Sequence, residues 1–144
     1  MIIIFSYFIY MTLAAIGITS GYHRYFAHKE FKATQWQEII MLYCGLLCGG
    51  RSVLGWVGVH RMHHAYADTE LDPHSPKYQP RWRVLFSAWK VDTIPRKYII
   101  DMMRNKKVMF FHKYGTYIFV THQIIFFLLF GIDSIIVHSI VFAL

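Results

Sequence analysis

The chain has 144 residues, the size of one domain, and at 56% hydrophobic and 18% aromatic it exceeds the roughly 45–50% apolar content of soluble domains. That composition excludes an ordinary soluble globule. The net charge of +7 raises nucleic acid as a partner, but the basic residues are bracketed by apolar segments and form no recognisable nucleic-acid motif, so none is expected. The two cysteines, Cys44 and Cys48, are spaced i, i+4 and read as small apolar residues on a buried helix face. They exclude a disulfide framework.

All 15 Lys and Arg lie between Arg24 and Lys113, as do seven of the eight acids. The fold class expected is all-α: a helical transmembrane protein with a charged, helical cytoplasmic cap, forming one partial domain over residues 1–144. Residues 1–21 just reach the roughly 20 apolar positions needed to cross a ~30 Å core. With no basic leading region they read as a transmembrane helix rather than a cleaved signal peptide. Its far end meets the basic middle of the chain, hence the cytoplasmic side.

A first histidine cluster follows at once, His23-Arg24-Tyr25-Phe26-Ala27-His28. On an ideal α-helix, i and i+5 stand about 140° apart, so this pair cannot converge from a regular helix. Either the helix ends between them or they serve different metals. Hydropathy reads Gln37 to Val59 as another span, but the stretch contains Arg51 and Gly45, Gly49, Gly50 and Gly55, costly in a spanning helix. A crossing here would also put the next histidine cluster on the opposite side of the membrane. The segment is expected to pack beneath the cap or dip into the interface.

That second cluster is the centre of the sequence. His60, His63 and His64 sit at i, i+3 and i+4 and share one helical face. An imidazole-rich set suits iron, copper, zinc or nickel rather than magnesium or calcium. Asp68, Glu70 and Asp72 follow; they either orient ring N–H groups as outer partners of a metal or cap helices and stay solvated.

Asp72-Pro73-His74-Ser75-Pro76 and Gln79-Pro80 mark a loop. Arg81 to Lys113 mixes aromatic and basic residues, as amphipathic helices at a cytoplasmic membrane surface do; the alternative is a face for an anionic head group or an acidic redox partner. Residues 22–113 are thus the cytoplasmic and interfacial region. A second span is expected from Tyr114 to Phe130, a turn at Gly131-Ile132-Asp133-Ser134, and a return helix over Ile135–Leu144 that covers only about 15 Å. Residues 114–144 then form an incomplete transmembrane hairpin, the ending expected of a truncated or split gene product. His112, His122 and His138 stand singly, and His122 and His138 read as buried, hydrogen-bonded residues.

Gly21 through His28, Trp56 through His64 and the sequel Asp68-Thr69-Glu70-Leu71-Asp72-Pro73-His74 closely resemble the membrane-bound fatty acid desaturases, in particular the Δ9, stearoyl-CoA desaturase-like branch with its HxxxxH and HxxHH boxes. The resemblance implies a di-iron site at the cytoplasmic face that uses O₂ to place a double bond in a saturated acyl chain. It implies His23, His28, His60, His63 and His64 as iron ligands and Trp56 as a lining of the acyl tunnel. The acyl chain would be carried on CoA, acyl carrier protein or a lipid, and electrons would come from cytochrome b5 or a ferredoxin. The family's third box, a further HxxHH, has no match here, and Val57-Gly58-Val59 replaces a charged pair of the animal acyl-CoA enzymes. Catalysis is therefore expected from a longer protein or from a complex with a second polypeptide that carries the third box. The alternatives are a hydroxylase or alkane monooxygenase of the same superfamily, and a non-catalytic metal-binding membrane remnant.

Overall fold

A computed structural model describes residues 2–85 and 91–132. Among these residues all regular structure is helical, with no strand. Helix α1 (Ile2–Ala14) runs directly into a π-helical segment, Ala15–Ala27. Helix α2 (Gln35–Gly45) ends in a short wide turn over Leu46–Gly50, and α3 (Val53–Tyr66) follows. After a loop come α4 (Arg81–Leu85), a 3₁₀ turn at Arg96–Tyr98, α5 (Ile100–Met103) and α6 (Lys106–Phe130).

Local chemistry sets these boundaries. Thr34 and Gln37 form a capping box at the start of α2: the Thr34 amide donates to the Gln37 side chain at 2.8 Å, and the Thr34 hydroxyl accepts from the Gln37 amide at 3.4 Å. Between α2 and α3 the backbone turns left-handed at Gly49 (φ 87°) and Arg51 (φ 53°), a region glycine enters without steric cost. The two helices therefore meet at 77°, and Gln37–Val59 is not a straight span. Of the four glycines in that stretch, Gly49 and Gly50 lie at the break, whereas Gly45 and Gly55 are helical.

Helix α6 begins at Lys106, earlier than the Tyr114 expected from hydropathy, because Asn105 caps it. The Asn105 side-chain Oδ1 accepts from the backbone amides of Lys107 (2.9 Å) and Val108 (3.4 Å). The Asn105 amide in turn donates to Glu38, whose carboxylate also meets Lys107 Nζ at 2.7 Å. Glu38 is only 5% exposed, so this pairing both satisfies a buried charge and ties α2 to α6. The described parts of the basic surface segment include α4, the 3₁₀ turn and α5. Pro80 and Pro95 stand immediately before two of them.

The π-helical segment and α2 touch backbone to backbone. A Cβ on Gly17 would lie 2.1 Å from the Gly45 amide nitrogen, and one on Gly45 would lie 2.4 Å from the Tyr22 ring. Tyr22 fills that space and donates its hydroxyl to the Arg51 carbonyl at 3.0 Å. Around it the core gathers Phe26, Leu42, Val53, Leu54, Val57, Met102 and Val108. The first histidine cluster is thus clamped between α2 and α3. Helices α1 and the end of α6 keep large apolar side chains on the outside, among them Ile4, Phe5, Phe8, Leu128 and Leu129.

Among the described residues no single helix is long and apolar enough to cross a membrane; the bent pair Gln35–Gly50 with Val53–Tyr66 passes that test only jointly. Gly131 closes α6 with φ +65°. The rest of the expected turn (Asp133, Ser134), the return helix Ile135–Leu144 and His138 lie outside the described residues.

Candidate metal centre

The HxxxxH pair converges because its helix is not an α-helix. The His28 amide donates to the His23 carbonyl at 3.0 Å, an i to i−5 bond of the π type. This wider turn brings the fifth residue back over the first, and the two rings stand 4.6 Å apart. The sequence reading offered only a helix end or two separate metals. The π turn is a third solution, invisible to reasoning based on 3.6 residues per turn.

From α3, His60 and His64 face the same point at i, i+4. Their Nε2 atoms lie 3.1 Å apart, and His60 Nε2 lies 3.0 Å from His28 Nε2. The His23 ring is 4.7 Å from that of His60. The ligating nitrogens of His23, His28, His60 and His64 all fall within 4.8 Å of one another. With metal–nitrogen bonds of about 2.0–2.1 Å, neighbouring ligands at 90–110° have nitrogens roughly 2.9–3.4 Å apart. The two short contacts match that spacing. A neutral ring nitrogen carries either one proton or one lone pair, so His60 Nε2 cannot satisfy both neighbours by hydrogen bonding. A cation among the nitrogens satisfies all of them. The four residues fit a metal ion.

His63 is not in that group. Its Nδ1 donates to Asp72 Oδ1 at 2.8 Å, drawing the ring away from the face shared by His60 and His64. Asp72 is fully buried and also accepts from the amides of His74 (2.8 Å) and Asp68 (3.1 Å). Of the three acids after the second box, Asp72 takes the ring-orienting position; Asp68 and Glu70 are exposed. Burial alone would raise the Asp72 carboxyl, but the bonds from His63 and the two amides hold it below its ordinary value. As an ionised acceptor it holds a proton on His63 Nδ1 and directs Nε2 elsewhere.

Trp56 stacks on His60, ring centroids 5.0 Å apart and planes at 21°, and meets the Tyr22 ring edge-on. Burial first, then the neighbouring imidazoles, pushes His60 down to about 3. His64 is lowered by the same causes in the same order, and His23 by burial first and then His28, with Glu30 opposing. These rings are neutral at physiological pH and hold their lone pairs ready. A cavity of about 330 Å³ lies beside them, lined by His23, His60, His63 and His74 together with Ile18, Thr19, Trp56 and Val59. His74 was not singled out by sequence; its Asp-Pro-His setting reads as turn chemistry, and its approach to His63 (ring centroids 5.5 Å) is tertiary. His112 and His122 are placed elsewhere. His122 Nδ1 pairs with the Tyr43 hydroxyl at 2.7 Å and His112 Nδ1 with Ser52 at 2.6 Å.

The comparisons with known proteins agree with this geometry. The chain is 46% identical over 70 residues to Delta-9 acyl-lipid desaturase 2 of Arabidopsis thaliana, covering 49% of this chain and 23% of that protein. It is 38% identical over 92 residues to the sn-1 stearoyl-lipid 9-desaturase of Synechocystis sp., covering 64% and 28%. Its match to the sn-1 stearoyl-lipid 9-desaturase of Anabaena variabilis is 31% over 115 residues, covering 76% and 42%. The chain therefore spans well under half the length of these relatives. No solved structure matches it. The fatty acid desaturase family model matches residues 1–143, and the chain belongs to the fatty acid desaturase family.

Proposed function

We propose that this chain supplies the first two histidine boxes of a membrane-bound, O₂-dependent fatty acyl desaturase. The observation that carries the reading is that histidines of both boxes line one cavity together with the apolar Ile18, Trp56 and Val59. His23, His28, His60 and His64 hold one iron, and His63, with its Nε2 left free by Asp72, is a ligand of a second. A di-iron centre supplies O₂ activation and the removal of two hydrogens from an unactivated acyl chain. Further ligands to the second iron come from a second polypeptide carrying a third box, or from a longer protein.

The chain's own residues do the positioning. Ile18, Trp56 and Val59 offer an apolar surface on which a saturated acyl segment displaces water. Trp56 also holds the His60 ring by stacking. The exposed apolar faces of α1 and α6 are suited to lipid, with the boxes toward the cytoplasm and electrons delivered by cytochrome b5 or a ferredoxin. The relatives above are named for acyl-lipid and stearoyl-lipid, and a lipid-linked acyl chain is the substrate this reading favours over acyl-CoA or acyl carrier protein.

The test is expression in a desaturase-deficient membrane, with and without a partner carrying the third box, beside His63→Ala. Iron content and fatty-acid profile are measured together. Two irons per complex and new monounsaturated lipid, both lost in His63→Ala, support the reading. An alcohol product assigns a hydroxylase instead, and iron without product under either condition overturns the catalytic role.

A further inference from the structure

We infer that Arg61 is a positioning residue for the metal centre, a clamp that sets the distance between the two histidine boxes. Arg61 lies on α3 between His60 and His63, and its side chain is 18% exposed. All five guanidinium hydrogens have acceptors. Nε donates to the Ala27 carbonyl at 3.2 Å, and the two terminal nitrogens reach the Phe26 (2.6 Å) and Tyr98 (2.7 Å) carbonyls. The same nitrogens form a two-pronged pair with Asp101 at 2.8 and 3.1 Å.

Phe26 and Ala27 are the last residues of the π-helical segment, where carbonyls have no partner further along the helix. Arg61 supplies that partner from α3. His28 follows Ala27 directly and His60 precedes Arg61 directly, so the guanidinium fixes the register of the 3.0 Å His28–His60 contact. The acceptors are three carbonyls and a carboxylate arranged around one planar fork. Lysine has the charge but only three donors on one atom, and cannot span them. Asp101 in turn holds the guanidinium in its plane, helped by Lys29 Nζ at 2.8 Å.

The inference rests on the four-histidine metal reading, and its test keeps the two apart. Co²⁺ is titrated into the full chain in detergent, with affinity and the visible Co²⁺ spectrum recorded for the parent, Arg61→Lys and Lys32→Met. Outer-shell supports of metal ligands are worth about 10- to 100-fold in affinity. Arg61→Lys is expected to lose that much and to show a changed spectrum with helicity intact, while Lys32→Met, at an exposed cation outside the clamp, stays within about twofold. If Arg61→Lys loses helicity, Asp101→Asn decides, with an expected loss of at least threefold. Parent-like affinity and spectrum in folded Arg61→Lys, or in Asp101→Asn where that variant decides, overturn the clamp. Absence of Co²⁺ binding by the parent removes the four-histidine reading and the clamp with it.

Discussion

His28 Nε2 and His60 Nε2 lie 3.0 Å apart across 32 residues of sequence, one at the end of a π-helical segment and the other inside an α-helix. The contact brings the two boxes together, and in the proposed metal centre it sits where a metal would be shared. His28→Ala therefore removes a ligand while leaving an exposed position at the segment's end. Metal affinity should fall by at least roughly 100-fold, the upper end of what an outer-shell change costs. A competition titration against a chelator of known affinity checks it, and parent-like affinity rules His28 out of the set.

Asp72 should behave as a buried hub. Its two oxygens accept from His63 Nδ1 and from two backbone amides, and asparagine presents one acceptor oxygen and one donor in their place. At least one buried donor is then unsatisfied, costing about 1–3 kcal/mol. Thermal unfolding of Asp72→Asn in detergent should show the loss. An unchanged midpoint would mean that water replaces the carboxylate.

Two glycine substitutions should act in opposite directions. A methyl at Gly17 meets the α2 backbone at 2.1 Å, which no rotamer change relieves, so Gly17→Ala should destabilise by about 1–3 kcal/mol or more. Gly55 lies in α3 with nothing within 4 Å of its would-be Cβ. There alanine only restricts the unfolded chain and favours the helix, and Gly55→Ala should stabilise by about 0.5–1 kcal/mol. Denaturant midpoints of the two variants measure the contrast directly.

Acid should loosen the Arg61 clamp through Asp101. Burial alone would raise this carboxyl, but the bonds from Arg61 and Lys29 hold it well below the usual carboxylate range. The unfolded chain titrates near the ordinary value of about 3.9. The folded state thus favours the ionised form, a stabilisation complete above that value and lost as pH falls toward the folded one. Melting temperature followed from about pH 5 to 3 should drop less steeply in Asp101→Asn than in the parent. Equal slopes would assign the acid sensitivity to other groups.

The sequence by itself determined the imidazole-rich character of the candidate site and the helical class. Imidazoles at i and i+4 on α3 need only the α-helical repeat to meet, so His60 and His64 were legible at once. The resemblance carried by the two boxes was legible as well, and the family match agrees with it. Hydropathy alone started α6 too late, because the Asn105 cap sets its beginning.

Tertiary structure decided the rest. The i, i+5 pair His23–His28 converges only through a π turn, packed backbone to backbone on α2 at Gly17 and Gly45. No periodicity argument reveals that, because the wider turn is held by neighbours rather than by its own residues. His63 lies on the right face by spacing, yet a carboxylate nine positions later turns it aside. Arg61 looked like one basic residue among many, and its role appears only when carbonyls from two distant segments fold around it. Residue type and helical repeat are encoded locally. The distance between two boxes 32 residues apart is a property of packing and of buried polar groups that need partners, and only the folded chain sets it.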